Sequence, residues 1–230
     1  MLHAGTARPL TAQPFRRRRC FYRRRTALAV GRVVTHEDHD ERRSPAMPTP
    51  GPLSAATVTV AVHPTALGPL VLAATDDALV LCCYGTTEAA EERLDRGGLR
   101  PAGPGEADAP GHKVLDEARE QIDAYLAGTR RDFTVATDLR LATPFSRRTN
   151  LMLAEFVPYG STATYADLAR ALERPGAARA VGTALGANPL CVVLPCHRII
   201  GSTGSLSGYA GGLEAKRHLL ALEATASPAA

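Results

Sequence analysis

NPLCVVLPCHRIIG, residues 188–201, is the stretch on which the fold of this chain turns. Leu190–Leu194 is a five-residue apolar run, strand-sized and suited to burial, and it delivers Pro195-Cys196-His197-Arg198. A cysteine at a strand end beside a histidine stands where a thiol pKa can be lowered and a nucleophile exposed. Neighbours on an extended chain point to opposite faces, so His197 is expected to reach Cys196 through a bent backbone or a bridging water. A packed cysteine beside a surface histidine is the plainer alternative.

Toward the carboxy terminus, Gly201–Gly212 is a glycine-rich loop around Tyr209. It has neither the GKS/T ending of a P-loop nor a strand-to-helix GxGxxG register, which leaves a loop lining a pocket with its backbone. The last helix, Gly212–Ala224, sets Glu223 between Leu219 and Leu220, so this carboxylate leans to the apolar side and needs a partner. A Cys196–His197–Glu223 relay with the logic of a catalytic triad supplies one; a surface glutamate near a fraying terminus is the alternative.

Upstream, Thr143-Pro144 is an N-cap with proline at the first helical position, opening a helix to Phe156. Thr164 caps a short helix with Tyr165, Leu168, Ala169 and Leu172 on one face. Arg174-Pro175-Gly176 breaks the chain before a third helix, Ala177–Ala187, which Asn188-Pro189 ends. The last two helices suit a helix-turn-helix. In the third, Ala178, Val181 and Leu185 form the apolar stripe, and Arg179, Gly182, Thr183 and Gly186 gather on another side. A mid-helix glycine costs about 1 kcal/mol relative to alanine, so something is expected to approach this face closely, either another helix or the groove of DNA.

The preceding half carries strand patterns. Val58, Val60 and Val62 alternate, Leu67-Gly68-Pro69 offers a turn, and Leu70–Ala74 and Ala78–Tyr84 flank a turn at Thr75-Asp76-Asp77. This predicts a small antiparallel sheet, followed by a loop over Gly97–Gly111 and a helix over His112–Leu126. Cys82-Cys83 reads as strand filler, and no chemistry is legible here.

The 230 residues are 45% apolar and 22% charged, which excludes disorder as the whole answer. No apolar run approaches the roughly 18 residues that cross a bilayer, so a soluble protein without a membrane partner is expected, and the few, odd cysteines fit reduced thiols in the cytoplasm. The five cysteines (Cys20, Cys82, Cys83, Cys191, Cys196) are odd in number and lack metal-ligand spacing, which predicts neither disulfides nor a metal. The net charge of +4 is unevenly placed. Residues 1–50 hold eleven arginines against four acids, residues 51–144 eight basic against fourteen acidic side chains, and residues 145–230 eight against five. The surplus therefore belongs to an arginine-rich extension that reads as disordered, with Met47 as an alternative start. The expected organisation is 1–50 extension, 51–141 α/β domain and 142–230 mostly helical domain.

Asn188-Pro189, Pro195-Cys196-His197-Arg198-Ile199-Ile200 and Gly208-Tyr209-Ala210-Gly211-Gly212 together resemble the active-site region of the O6-alkylguanine-DNA alkyltransferases, also called methylated-DNA–protein-cysteine methyltransferases. Pro158-Tyr159-Gly160, Tyr165–Ala169 and Ala177–Gly182 match in order and spacing. The resemblance is close over Thr143–Glu223 and looser from Ala66 onward. It implies an α+β fold, with a small amino-terminal domain of antiparallel sheet and helix followed by a helical domain with a helix-turn-helix. The implied activity is single-turnover transfer of the alkyl group of O6-alkylguanine, or O4-alkylthymine, from double-stranded DNA to Cys196 after base flipping, by a monomer without cofactors. By the same resemblance His197 is the base through a water, Glu223 orients it, and Asn188 holds the turn. Tyr165 rotates the nucleotide and protonates the guanine. Arg179 fills the stack, with Gly182, Thr183 and Gly186 on the DNA face, and Tyr209, Ala210 and Arg198 line the pocket. Ala210 has no hydroxyl where some members carry serine, and Asn150 stands where bacterial members often carry tryptophan. Cys196 itself distinguishes the chain from the non-catalytic alkyltransferase-like proteins, which carry tryptophan there. Two readings of other classes remain, a non-enzymatic damage sensor on this fold and a cysteine hydrolase using Cys196, His197 and Glu223.

Overall fold

A computed structural model describes residues 56–103 and 110–225; the arginine-rich extension, with Cys20, lies outside the described residues. Ala56–His63 (β1), Leu70–Ala74 (β2) and Leu79–Tyr84 (β3) form an antiparallel meander, as their alternation predicts. The β1–β2 turn closes through Gly68 N–H donating to Thr65 O at 3.1 Å, with Gly68 in the left-handed region at φ 97°.

The sheet is nevertheless mixed. Leu99–Pro101 (β4), inside the expected loop, pairs in parallel with β1, so the strand order is β3-β2-β1-β4. The cause is Thr87–Arg96 (α1), which carries the chain from β3 across the sheet, and a crossover helix delivers its next strand in parallel. This helix escapes the sequence pattern because only Ala90 and Leu94 of its ten residues are buried, too short a stripe to show a period.

All five residues of β2 are buried because both faces of the sheet are covered. Leu70, Leu72 and Ala74 pack with Leu115, Ala118 and Ile122 of His112–Leu126 (α2), while Val71 and Ala73 pack with Ala90 and Leu94 of α1. A register shift at Ala73/Ala74 turns both Val80 and Leu81 to the α1 side. Val62, beyond the stretch paired by β4, stays 52% exposed.

The remaining elements are Pro144–Phe156 (α3), Ala163–Thr164 (β5), Tyr165–Ala171 (α4), Ala178–Gly186 (α5), a 3₁₀ turn at Cys196–Arg198, Ile199–Ile200 (β6) and Gly212–Thr225 (α6). Thr143 caps α3 by accepting from Ser146 N, and Thr164 with Asp167 forms a capping box on α4. Leu153, Leu168, Leu172, Val181 and Leu185 gather α3, α4 and α5 around one cluster.

Leu190–Leu194 is buried, but it is not a strand. Only Leu190 bridges to a neighbour, Cys82, in parallel. The chain then turns, with Leu194 N–H donating to Leu190 O at 2.8 Å and Val192 at φ 70°. A continuous apolar run reports burial, not pairing, so it cannot separate a buried turn from a buried strand. The turn is clamped to β3 by Cys82 N–H to Pro189 O and Cys191 N–H to Cys82 O, both 2.7 Å. Its apolar side chains join Leu70, Leu72, Leu115 and Leu219 in one core. Among the described residues no helix is long and apolar enough to cross a membrane.

Candidate active site

Cys196 opens the 3₁₀ turn and is 7% exposed. It therefore sits on a tight turn and not at the strand end expected from sequence, and the bent backbone is the one that adjacent Cys and His need. Asn188, 2% exposed, organises the approach to it. The Asn188 Nδ2 group donates to Leu194 O at 3.2 Å and to Cys196 Sγ at 3.3 Å, while Leu190 N–H donates to Asn188 Oδ1 at 3.0 Å. The thiol is eased below its ordinary pKa by a hydrogen bond from the Cys191 thiol, which outweighs burial with help from Asn188 and the positive charge of Lys216. Cys82 and Cys191 are pushed the other way, Cys82 by burial and Cys191 first by its bond to Cys196. Three buried thiols in one neighbourhood are thus strongly differentiated, and Cys196 is the one poised to ionise.

His197 is fully buried, and burial pulls its pKa below 6.5 against the raising effect of Glu223. The His197 Nε2 atom lies 2.7 Å from Glu223 Oε1, and Nδ1 has no partner among the described residues. Glu223, 1% exposed on the inner face of α6, accepts from Gly160 N–H at 2.9 Å and from Arg198 Nε at 3.0 and 2.9 Å. Burial raises a carboxyl pKa, but the hydrogen bond and charge of His197, then Arg198 and Tyr125, hold Glu223 at about 2. The carboxylate leans inward as its place between two leucines predicts. Arg198, assigned from sequence to the substrate pocket, is taken up elsewhere: 6% exposed, it pairs with Glu223 and donates to Val157 O at 2.9 Å. A buried guanidinium is the natural counter-ion for a carboxylate so removed from water.

Tyr209 packs edge-on to Tyr84 at 5.7 Å and to His197 at 6.3 Å between ring centroids, with Ala210 exposed beside it. A Cβ on Gly211 would lie 2.6 Å from the Tyr84 ring, so that glycine is required by close approach. Lys216, fully buried on α6, donates to Ile199 O at 2.7 Å and Ser207 O at 2.9 Å and so ties down the loop; the Tyr165 hydroxyl donates to the same Ser207 O at 3.3 Å.

On α5, Val181, Ala184 and Leu185 are buried, whereas Arg179, Thr183 and Gly186 are exposed and Gly182 is half-buried. A Cβ on Gly186 would meet nothing within 4 Å, and one on Gly182 would meet only the Tyr165 ring at 3.7 Å. Packing among the described residues therefore demands neither glycine. Asn150, fully buried, uses its amide to bridge α3 and α5, donating to Ser146 O at 2.9 Å and Ala184 O at 3.4 Å.

Tyr125, Lys216 and Cys191 border the site without a motif that marks them in the sequence. Tyr125 sits on α2 and its hydroxyl donates to Glu223. A lysine on the apolar face of α6 was a signal of the same kind as Glu223, whereas Tyr125 and Cys191 look like ordinary core residues. No group of three or more His, Cys, Asp or Glu placed to hold a metal occurs among the described residues.

Residues 144–225 match the family model of the 6-O-methylguanine DNA methyltransferase DNA-binding domain. Over 112 residues, 49% of this chain and 67% of the relative, the sequence is 50% identical to a methylated-DNA–protein-cysteine methyltransferase of Mycolicibacterium paratuberculosis. The crystal structure of Mycobacterium tuberculosis O6-methylguanine methyltransferase superposes with a TM-score of 0.61 at 38% identity, covering 75% of this chain and 96% of that one. The OGT of the same organism, solved in complex with DNA, gives 0.57 at 36% identity over the same shares. A matching fold, a domain match over residues 144–225, which include Cys196, His197 and Glu223, and 50% identity over 112 residues to a named member place this chain in the methylated-DNA–protein-cysteine methyltransferase family.

Proposed function

We propose that this protein repairs O6-alkylguanine, and O4-alkylthymine where the pocket admits it, in double-stranded DNA by moving the alkyl group to Cys196. The observation that carries this is the Cys196–His197–Glu223 assembly, a thiol eased toward thiolate next in chain to a buried histidine that is paired with a carboxylate at 2.7 Å. A carbon on guanine O6 is a poor electrophile, so a soft thiolate must attack it in line. The C–S bond forms as the C–O6 bond breaks, and the electron pair stays with the base, where a proton from Tyr165 balances it. His197, through a bridging water, takes the thiol proton, Glu223 stabilises the resulting imidazolium, and Asn188 holds the turn that carries the thiol. The thioether is stable, so each molecule acts once, without metal or organic cofactor.

The target atom is hidden in stacked DNA, so the nucleotide has to be flipped out. Residues 142–230 act as the DNA-binding and alkyl-transfer domain, with α4 and α5 as the helix-turn-helix and residues 51–141 as its support. Arg179 fills the vacated stack, while Gly182, Thr183 and Gly186 admit the DNA backbone. In support of this, no contact among the described residues requires those glycines. Tyr209 and the Ala210 amide line the pocket, and the protein works as a cytoplasmic monomer. The test is incubation with a duplex containing O6-methylguanine and peptide mass mapping. The expected result is one methyl on Cys196 and a restored guanine. An intact lesion with unmodified Cys196 would overturn the proposal, with DNA binding alone pointing to a damage sensor and repeated ester or amide turnover to a hydrolase.

A further inference from the structure

Glu223 Oε1 accepts from three directions: His197 Nε2, Arg198 Nε, and the hydroxyl of Tyr125, a residue 98 positions earlier on α2. Tyr125 is 1% exposed, and its oxygen lies 3.3 Å from His197 Nε2. Its ring packs against Phe133, at 5.1 Å, and Tyr159, at 5.9 Å between centroids, which fixes the hydroxyl oxygen beside Glu223 and His197. The residue lies outside the segment 144–225 that matches the family's domain model.

We propose that Tyr125 is a positioning residue of the alkyl-transfer site, whose hydroxyl donates its hydrogen bond to Glu223 and thereby leaves only acceptors facing His197 Nε2. An ionised carboxylate can only accept, and a phenol whose proton is committed to that carboxylate presents a lone pair. The histidine proton is held on Nε2 between them, and Nδ1 is left unprotonated and able to act as a base. The same hydroxyl draws charge from Glu223. With Arg198 it keeps the carboxylate from pulling His197 into a permanent imidazolium, which could not take a proton from a thiol. The amino-terminal half is therefore part of the site's proton relay as well as its support.

This rests on His197 acting as the base for Cys196, and the test reads the histidine directly. In the full chain labelled with [15N]histidine, His197 should titrate from an Nε2–H neutral form. Tyr125→Phe keeps the ring and removes the hydroxyl; the His197 midpoint should rise by about one pH unit, and transfer from O6-benzylguanine on the acid limb should slow by up to about tenfold. Fluorinated tyrosine at position 125, a stronger donor, should move the midpoint the opposite way. Phe133→Leu, which loosens the packing without touching the hydroxyl, should lower Tm and leave the midpoint in place. An unchanged midpoint in Tyr125→Phe, shifts of the same sign in both Tyr125 variants, or an equal shift in Phe133→Leu would overturn the assignment. A chain that shows these midpoint shifts yet takes no methyl from DNA would overturn the repair reading and support the role of Tyr125 at His197.

Discussion

Strand β2 and the segment Asn188–Ile199 are sealed from solvent alike, every residue of each being buried. In β2 the five side chains are Leu, Val, Leu, Ala and Ala, held by dispersion and the hydrophobic effect between two helices. The site segment buries an asparagine, a histidine and an arginine among its aliphatic residues, and each is engaged by specific partners: Asn188 by the turn carbonyls and Cys196, His197 by Glu223, Arg198 by Glu223 and Val157. Burial by packing is distributed and forgiving of shape-conserving change. Burial by a polar network is conditional, because losing one member strands the others in a medium that cannot solvate them.

The sharpest test of that difference removes the hub. Glu223→Ala leaves the Arg198 guanidinium buried without its counter-ion and should cost about 3–5 kcal/mol, read as a lowered midpoint in urea denaturation, together with loss of alkyl transfer. In β2, Leu72→Ala should cost about 2–5 kcal/mol but leave transfer per folded molecule at the parent level, and Leu72→Met should cost less than about 1.5 kcal/mol. A Leu72→Ala protein that is folded yet inactive would break the contrast.

Acid should separate the two regions as well. Glu223 is held at about 2 in the folded chain against an ordinary 4.5, so the stability it confers is complete above pH 4.5 and is lost as pH falls toward 2. The size is on the order of 3 kcal/mol. His197, lowered below 6.5, acts in the same sense from higher pH. Thermal melts between pH 7 and 3 should show a fall in Tm that Glu223→Gln flattens and Leu72→Met does not. The smallest effect on stability belongs to the exposed Arg179. Arg179→Ala should change unfolding by no more than about 0.5 kcal/mol while weakening repair in duplex DNA far more than transfer from free O6-benzylguanine. Equal losses on the two substrates would remove its assigned place in the stack.

Local signals were legible where they are local in cause. Thr143-Pro144 opens α3 where the cap rule puts it, Thr164 and Asp167 cap α4 across three residues, and the alternation of Val58 and Val60 marks a strand. Glu223 announced itself as an acid on an apolar face. The misreadings share a different cause. β4 is set by its pairing with β1, some forty residues away, and Leu190–Leu194 turns because β3 grips it on one side only. Arg198 looked like a pocket residue until its partner, 25 positions on, was in view.

The sequence by itself determined the helices around the site, the burial of its apolar run, and the choice of Cys196, His197 and Glu223 as the candidate relay, since caps, periodicity and residue chemistry act over a few positions. The tertiary structure alone decided which of four described cysteines is eased toward thiolate, where the Arg198 charge goes, and that a tyrosine from the other half reaches Glu223. A pKa or a buried hydrogen bond is a property of what surrounds a group in space, and only folding brings those surroundings together.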